Sequence, residues 1–470
     1  MTAKKRSFVI VAWFLFFLAV YLMAAVCPYL NHKEVSQEYK NQINMIDFYE
    51  EHQGSERVAY VDDNTEALIL RLQMIEMAQE EIILSTFDFN GDESGKDMMS
   101  ALMHAAHRGV KVKVIVDGLS GFLDLRGNEW FQALALEEGV EIRIYNPVNL
   151  LKPWQLQARL HDKYLIVDDT AYLLGGRNTT DLFLGDYSSS KNIDRELLVY
   201  EQEPSEASSL MQAREYFQQI WELKCSRDYV CEKETKKIAD ARTALEKRYE
   251  KLPELYPEML VPQDWEARTM ETDKVTLLSN PIEPENKAPN MWYALNQLMK
   301  TGEQVTVYTP YIICGEEMYQ DLEQLCQETE QVEIITNDVT SGANPWGCTD
   351  YMNQKENIWA TGVTVYEYLG AHSSHTKAVL VDDTISVVGS YNMDMRSTYQ
   401  DTELMLVVDS PELNQVIRKE AEHDKTYSRV MTSGGMYEYG ENYEPREMPW
   451  KKKIYYGIFR VITVPIRKFL

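Results

Sequence analysis

The stretch H-D-K-Y-L-I-V-D-D-T-A-Y-L-L-G-G-R-N, residues 161–178, decides the fold because the chain contains it twice. The second copy, H-T-K-A-V-L-V-D-D-T-I-S-V-V-G-S-Y-N, spans residues 375–392. His, Lys, Asp, a pair of small residues and Asn stand at identical spacings in both copies. An internal repeat with this spacing indicates two similar lobes in one chain.

Each copy has the pattern of two consecutive β-strands. His161 and Lys163 lie two residues apart at the start of an apolar run, as do His375 and Lys377, so each pair leaves one face of a strand together. The second strand of each copy ends at two small residues, where backbone can approach a ligand closely. These small residues are Gly175 and Gly176 in the first copy and Gly389 and Ser390 in the second.

These side chains fit the chemistry of phosphoryl transfer. A neutral imidazole can attack phosphorus and form a covalent intermediate, while a second imidazole protonates the leaving oxygen and later deprotonates the incoming hydroxyl. One His cannot do both at once, which explains why the motif comes twice. Lys and Asn can hold the phosphate oxygens as charge develops, so the scheme requires no metal and no cofactor. The candidates are His161 and His375 for the chemistry and Lys163, Lys377, Asn178 and Asn392 for the phosphate.

The pattern H-x-K-x-x-x-x-D followed by G-[GS]-x-N resembles the phospholipase D superfamily, whose two-lobed members carry it twice. The second copy continues as G-S-Y-N-M-D-M-R-S, which is similar to bacterial cardiolipin synthases, and the first as G-G-R-N-T-T-D-L-F, which is similar to their C branch. The resemblance implies an α/β fold with two phospholipase D-type lobes, each a mixed sheet flanked by helices, packed pseudo-symmetrically. The alternation of apolar strands and helices along the chain agrees with this fold class.

A pair of acids follows each copy, in Asp194-Arg195-Glu196 and in Asp401-Thr402-Glu403. Aligned by the strands that come next, Glu196 corresponds to Glu403 and Asp194 to Asp401. A carboxylate at this place can accept the far ring N–H of a catalytic His and fix its tautomer. The resemblance implies this role for Glu403. In the first lobe Asp194 and Glu196 both stay open, because residues two apart on a strand share a face.

The resemblance also implies roles for the remaining motif residues. Asp168 and Asp382 are expected to be structural, at the strand end of each copy. Family precedent makes His161 the nucleophile and His375 the general acid. The implied activity is a phosphatidyltransferase that moves a phosphatidyl group to phosphatidylglycerol through a phosphohistidine, with phosphatidylethanolamine as an alternative donor.

Three other functions remain open on the sequence. Two use the same chemistry: hydrolysis of phospholipids to phosphatidic acid, and phosphodiester cleavage in nucleic acid. The third is a non-catalytic scaffold that binds lipid head groups. The formal charge of −27 argues against a nucleic-acid partner, because phosphate contacts rely on Lys and Arg.

The N-terminal segment predicts a membrane anchor. Residues 8–26 carry no charge and follow Lys4, Lys5 and Arg6. This run nearly spans a bilayer core, and the basic flank favours a cytoplasmic N-terminus. We therefore expect a single-pass protein of the bacterial cell membrane with its lobes on the extracytoplasmic side. A cleaved signal peptide and a buried helix are the alternatives.

The sequence divides into six predicted parts. They are a signal anchor (1–27), a stalk (28–55), a first lobe (56–231), an inter-lobe connection (232–272), a second lobe (273–428) and a basic amphipathic tail (429–470). Residues 450–470 of this tail combine six cations with aromatic residues, which indicates an interfacial segment drawn to anionic lipid. A peripheral helix packed on the protein is the alternative. Cys225 and Cys231 are close enough for a small disulfide loop, but free thiols fit equally well.

Overall fold

The computed structural model describes residues 3–432 and 435–470, with side chains from Ile10 onward. Its helices are α1 Ala3–Val26, α2 Gln37–Met45, α3 Asn64–Met77, α4 Glu93–His107, α5 Gly118–Ser120, α6 Glu129–Leu134, α7 Ser209–Glu222, α8 Lys236–Leu255, α9 Trp265–Arg268, α10 Asn290–Met299, α11 Glu316–Glu328, α12 Pro345–Ala360, α13 Met395–Tyr399, α14 Pro411–Thr426 and α15 Trp450–Ile466.

Two large sheets form the body, one in each lobe. The first-lobe strands are β1 Arg57–Val61, β2 Glu81–Thr86, β3 Lys111–Asp117, β4 Val140–Tyr145, β5 Tyr164–Val167, β6 Ala171–Gly175, β7 Asn192–Ile193, β8 Glu196–Tyr200, β9 Arg227–Asp228 and β10 Met270–Glu271. The second-lobe strands are β11 Lys274–Ser279, β12 Gln304–Tyr308, β13 Gln331–Asn337, β14 Thr364–Tyr368, β15 Ser373–Ser374, β16 Ala378–Val381, β17 Ile385–Gly389, β18 Leu404–Asp409, β19 Ser428–Met431 and β20 Tyr437–Tyr439.

Eight strands have the same order in both sheets, and each sheet adds one edge strand, β10 in the first and β20 in the second. The first runs β10-β1-β8-β6-β5-β2-β3-β4-β9 and the second β11-β18-β17-β16-β12-β13-β14-β19-β20. In each, three parallel strands continue into an antiparallel part that holds the repeated motif. The prediction of two similar mixed sheets flanked by helices is confirmed.

The lobes pack together through the inner faces of both sheets. Successive residues of β5 point to opposite faces of the sheet. Leu165 and Val167 join the outer core, which lies under α3, α4 and α8. Tyr164 and Ile166 join the core between the lobes. The helices α7 and α14 complete that inter-lobe core. A strand buried on both faces reads as a continuous apolar run, which is why Y-L-I-V and A-V-L-V show no polar alternation.

The segments predicted as a stalk and as a connection are both folded onto the lobes. Ile43 of α2 and Phe48, from the predicted stalk, belong to the second-lobe core. In the predicted connection, α8 packs on α4 and α6, and β10 adds a strand beside β1. Proline does not interrupt α8, because Pro253 lies in its last turn. Cys225 and Cys231 are free thiols.

Among the described residues, one helix is long and apolar enough to cross a membrane. The stretch Ile10–Tyr29 has a mean hydropathy of 2.6, and the body buries almost none of it. Its position matches the predicted anchor by length and composition.

Candidate active site

Two short strand contacts between the lobes build the site. The pair β7 and β15 runs parallel, with Ser374 opposite Ile193. A single parallel bridge joins Leu160 to Thr402 in the other half. In both contacts the next residue along one strand is the motif His and the next along the other strand is an acid. Each lobe therefore places its His beside the acid of the other lobe.

His161 binds the acid of the second lobe. Its Nδ1 lies 2.8 Å from Glu403 Oε1, and its backbone N–H donates to Thr402 Oγ1 at 3.1 Å. The ring meets Phe87 edge-on, with centroids 5.5 Å apart. With Nδ1 donating to a carboxylate, Nε2 carries the free lone pair that a nucleophile needs.

His375 forms the matching pair with the first lobe. Its Nδ1 lies 2.6 Å from Asp194 Oδ2, and its backbone N–H donates to the Ile193 carbonyl at 2.6 Å. The ring meets Phe183 with centroids 4.9 Å apart. Lys377 Nζ also lies 2.6 Å from Nδ1. One ring nitrogen serves one partner at a time, and we assign the proton on Nδ1 to the bond with Asp194.

The sequence alignment of the acids is wrong by two residues. On the ladder between β6 and β8, Gly175 pairs with Glu196, whereas the equivalent Gly389 pairs with Met405. Glu196 therefore corresponds to Met405, and Asp194 corresponds to Glu403. Of the two open first-lobe candidates, it is Asp194 that contacts a motif His, and that His belongs to the other lobe.

Glu196 has a different set of partners. Its carboxylate is buried and accepts from Arg71 at 2.9 Å and from Arg177 at 3.3 Å. Two guanidinium groups around one carboxylate make a buried ion cluster that joins α3 to the end of β6. Glu196 is thus a structural residue in this fold, and the acids that contact the two histidines are Glu403 and Asp194.

The small residues of each motif make room for these acids. A Cβ on Gly176 would lie 2.3 Å from Asp194 Oδ2, and one on Gly389 would lie 2.2 Å from the Leu404 carbonyl. Ser390 stands where the first lobe has Gly176, and its hydroxyl donates to Glu403. The longer Glu side chain accommodates the serine, whereas the shorter Asp needs the glycine.

Both motif lysines are buried beside their histidines. Lys163 donates to the His161 carbonyl and Lys377 to the His375 carbonyl, and Lys377 Nζ lies 3.7 Å from Asp194. Burial lowers the pKa of each lysine to about 8. Below that pH both carry a charge that a phosphodiester would neutralise.

Asn178 and Asn392 follow the small residues in both copies. The Oδ1 atom of each is buried and has no hydrogen-bond partner among the residues that the structure describes. Buried amides are normally paired, so equivalent polar groups of both copies remain available to a substrate. The assignment of the amide O and N atoms rests on hydrogen bonding.

The electrostatics of the two His–acid pairs differ. Burial, reinforced by Lys163, holds the pKa of His161 well below its ordinary value, and burial with Lys377 lowers the pKa of His375 to about 3. Burial raises the pKa of Glu403 to about 7. Burial also disfavours ionised Asp194, but Lys377 and the His375 hydrogen bond outweigh it and lower the pKa of Asp194.

Asp168 and Asp382 close turns away from the imidazoles. Asp168 accepts from the backbone N–H groups of residues 79, 80 and 81, and Asp382 from those of residues 303 and 304. Both have positive φ, 49° and 44°, a conformation that Asp tolerates better than most residues. These bonds tie the end of the motif strand to its neighbour.

Two supporting residues escaped the sequence analysis. Asp162, next to His161, accepts from Thr402 Oγ1 at 2.6 Å and from Tyr216 at 2.8 Å, which fixes the Thr402 hydroxyl beside His161. Ser397 donates to Glu403. Ser397 ends the G-S-Y-N-M-D-M-R-S run and so had a signal, whereas Asp162 occupies a position that the motif leaves free.

Each α/β lobe gives an acid to the His of the other lobe, and both pairs lie beside a buried lysine. This arrangement defines a phospholipase D-type protein. The chain belongs to the family described as "Cardiolipin synthase, PLD-like domain", whose model matches residues 72–221 and 294–425. The resemblance seen in the sequence is thereby confirmed.

Known proteins similar to the chain include two synthases. "Cardiolipin synthase C" of Escherichia coli (strain K12) is 22% identical over 475 residues, which cover 89% of this chain and 96% of that protein. "Cardiolipin synthase B" of Salmonella typhi is 26% identical and covers 74% of this chain and 75% of its own length. The crystal structure of phosphatidylserine synthase from Haemophilus influenzae Rd KW20 superposes with a TM-score of 0.64 at 14% identity, covering 92% and 99% of the two chains, which shows the shared fold.

Proposed function

We propose that the chain is a membrane phosphatidyltransferase of cardiolipin-synthase type. The observation that carries the proposal is the exchange of acids between the lobes, which orients two imidazoles in one site with Lys163 and Lys377. The family match and the relatives named cardiolipin synthase support phospholipids as substrates. Phosphatidylglycerol is the acceptor in this scheme, and phosphatidylglycerol or phosphatidylethanolamine is the donor.

In the first step, His161 Nε2 attacks the phosphorus of a phospholipid phosphodiester. A P–N bond forms, and the P–O bond to the head-group alcohol breaks. His375 gives its proton to the departing oxygen, so the alcohol leaves neutral. The lysines and the amides of Asn178 and Asn392 hold the remaining phosphate oxygens as negative charge develops on them.

In the second step, a hydroxyl of phosphatidylglycerol replaces the departed alcohol. His375, now neutral, takes the proton of this hydroxyl, and its oxygen attacks phosphorus. The P–N bond breaks, His161 is regenerated and cardiolipin leaves. Two phosphatidylglycerols thus yield one cardiolipin and one glycerol. The overall exchange conserves the number of phosphodiester bonds and requires no other energy source.

The charges of the site support the assignment of the two histidines. His161 is neutral at physiological pH because its pKa lies well below its ordinary value, which suits a nucleophile. His375 must be protonated to act as an acid, and Asp194 stabilises that imidazolium. A bound phosphodiester brings a negative charge that opposes the effect of Lys377 and raises the pKa of His375.

The same proposal includes a location. The helix α1 would anchor the chain in the bacterial cell membrane as a single span, with the lobes on the extracytoplasmic side. The relatives named cardiolipin synthase support a membrane enzyme. An enzyme held at the bilayer meets its lipids at high local concentration.

The test is a product analysis with the full chain in mixed micelles of labelled phosphatidylglycerol, with and without phosphatidylethanolamine. We expect cardiolipin from the parent and from His104→Ala, a control outside the site whose ring stacks on Tyr249. Neither His161→Ala nor His375→Ala should form cardiolipin. Phosphatidic acid as the sole product would replace the transferase by a hydrolase. No lipid product at all would contradict the proposal.

A second measurement tests the order of the steps. Quenching during turnover with denaturant at alkaline pH, which preserves the acid-labile P–N bond, should trap the labelled phosphoryl group on His161, located by peptide mapping at alkaline pH. A trapped group on His375 would exchange the two roles. Absence of any trapped group in a chain that makes cardiolipin would contradict the covalent intermediate.

A further inference from the structure

The C-terminal helix α15 packs on the second lobe through one face. Tyr456 and Thr463 are buried there, the Thr463 hydroxyl lies 3.0 Å from that of Thr349 on α12, and Phe459 packs against Trp346 with ring centroids 4.4 Å apart. The packing of this face agrees with the alternative that the sequence analysis left open, a peripheral helix packed on the protein. The large apolar side chains on the other side of α15 stay exposed.

The opposite face of α15 is apolar and exposed. Val461 is 74% exposed and Ile458 is 56% exposed, and five further large apolar residues share this exposure. Those five are Trp450, Ile454, Tyr455, Ile462 and Val464. Contiguous apolar surface on this scale marks an interaction site. Exposed cations at 451, 453 and 460 flank it.

The end of α15 meets the point where α1 leaves the body. Lys468 Nζ donates to the Leu30 carbonyl at 3.1 Å. The Tyr29 hydroxyl donates to the Trp154 carbonyl at 2.9 Å, and α1 contacts the turn that contains Trp154. In that turn Leu151 is 87% exposed, beside exposed Leu150. Both lobes therefore present apolar surface where the anchor emerges.

The other end of α15 reaches the rim of the active site. Lys452 Nζ donates to the Thr340 carbonyl at 2.9 Å, in the turn that follows β13. At the end of β13, Asn337 donates to the Ser374 carbonyl at 2.7 Å, next to His375. The helix thus spans the distance between the anchor and the catalytic rim.

The first lobe has an apolar rim at the equivalent place. Asp117, at the end of β3, accepts from the Leu160 N–H at 2.8 Å, next to His161. The turn that follows β3 exposes Leu119, Phe122 and Leu123. Both rims of the site are therefore joined to apolar side chains that the protein leaves uncovered.

We propose that these surfaces form one membrane-docking surface, made of the exposed face of α15, residues 150–154 and residues 119–123. Its occupant is the bilayer that holds α1, because the anchor ties Leu30, and with it the end of α15, to the membrane. The flanking cations fit anionic lipid head groups. The active site then opens toward the membrane surface, so a diacyl substrate reaches His161 and His375 without leaving the bilayer.

Depth-dependent quenching tests the docking in the full chain, reconstituted in phosphatidylcholine–phosphatidylglycerol vesicles. A genetically encoded fluorescent amino acid replaces Ile458, Leu123 or, as the control, Leu255. Leu255 is as exposed as Ile458 and lies on α8. We expect bromine on the lipid acyl chains to quench the first two probes at least about threefold more than the control, and aqueous iodide to do the reverse.

A rate comparison tests the consequence for substrate entry, which rests on the proposed function. The double variant Ile458→Glu/Val461→Glu should lose about tenfold in rate on long-chain phospholipid in vesicles, because each charge opposes insertion of the apolar face. Its rate on short-chain phospholipid below the micelle concentration should match the parent. The control Leu255→Glu should change neither rate. A misfolded variant would lose both rates.

The outcomes are separable. Equal iodide quenching at 458, 123 and 255 in vesicles would overturn the docking. So would a dimer in detergent that Ile458→Glu converts to a monomer, because the face would then belong to a second copy. If the parent turns over no lipid, the proposed function fails while the quenching result still decides the docking.

Discussion

The two halves of the active site share one architecture and differ in their acids. In each, a strand bridge between the lobes carries an acid to the His of the other lobe: Glu403 to His161, and Asp194 to His375. The pKa of Glu403 is raised to about 7, whereas that of Asp194 is lowered. The repeat therefore supplies the same geometry twice with different electrostatics.

Local contacts explain the difference. Burial dominates at Glu403, where the hydroxyls of Ser390 and Ser397 are its direct donors besides His161. Asp194 lies 3.7 Å from the Lys377 ammonium, which keeps it ionised. In the proposed mechanism, the fixed negative charge of Asp194 suits His375, which would gain and lose a proton. The carboxyl of Glu403, poised near neutrality, would suit His161, which would attack phosphorus with a proton acceptor on its Nδ1.

The largest effect is expected from removing the charge of Asp194. We predict that Asp194→Asn lowers kcat/KM by about a thousandfold, because the imidazolium of His375 loses its counter-ion and the amide can impose the wrong tautomer. The matched variant Glu403→Gln should cost only about tenfold, since a neutral side chain still accepts from Nδ1. Steady-state rates of both variants at pH 7.5 check this. Equal losses would remove the proposed asymmetry.

The next largest loss of activity is expected when a neighbouring side chain crowds Asp194 while Asp194 itself is unchanged. In Gly176→Ala the new methyl carbon would lie 2.3 Å from Asp194 Oδ2. The displaced carboxylate should release His375, and we predict a loss in kcat of about thirtyfold from the lost general acid–base step. His104→Ala is the control, because its ring stacks on Tyr249 outside the site. A Gly176→Ala chain with parent kcat would contradict the role of the Asp194 contact.

A bell-shaped pH profile is expected for kcat at saturating lipid, where the negative charge of the bound phosphodiester raises the pKa of His375 and favours its protonated form. Ionised Glu403 accepts more strongly from His161 than the protonated acid does, so activity should rise about tenfold as pH increases through about 7. The lysines must be protonated to hold the phosphate, so activity should fall as pH increases through about 8. In Glu403→Gln the acid limb should disappear while the alkaline limb stays. An unchanged acid limb in that variant would assign it to another group.

The smallest effect on catalysis is expected at Glu196. We predict that Glu196→Gln leaves kcat/KM within about threefold of the parent but destabilises the fold by about 3 kcal/mol, because Arg71 and Arg177 lose their buried counter-charge. Activity at 25 °C and thermal unfolding of the same sample separate the two effects. A large loss of kcat/KM in a chain with parent stability would return Glu196 to the site.

The error over Glu196 shows a physical limit of sequence reading. The strands β8 and β18 are apolar and buried along almost their whole length. Their sequences can therefore show which face a side chain is on, but not which residue of one strand matches which residue of the other. Sliding one strand past the other by two residues keeps every side chain on the same face. Nothing in the pattern distinguishes the correct alignment from that slip. The backbone ladder distinguishes them, since Gly175 and Gly389 pair with different residues.

The sequence by itself determined the repeat, the two-lobed fold and the identity of both His–Lys pairs, because fixed spacing on a strand sets which side chains leave together. It also predicted the apolar anchor, since hydropathy depends on composition alone. Only the tertiary structure decided that each acid crosses to the other lobe, that Glu196 pairs with two arginines, and that α15 runs from the end of α1 to the rim of the candidate site. Those facts depend on contacts between segments far apart in the chain, which no local pattern encodes.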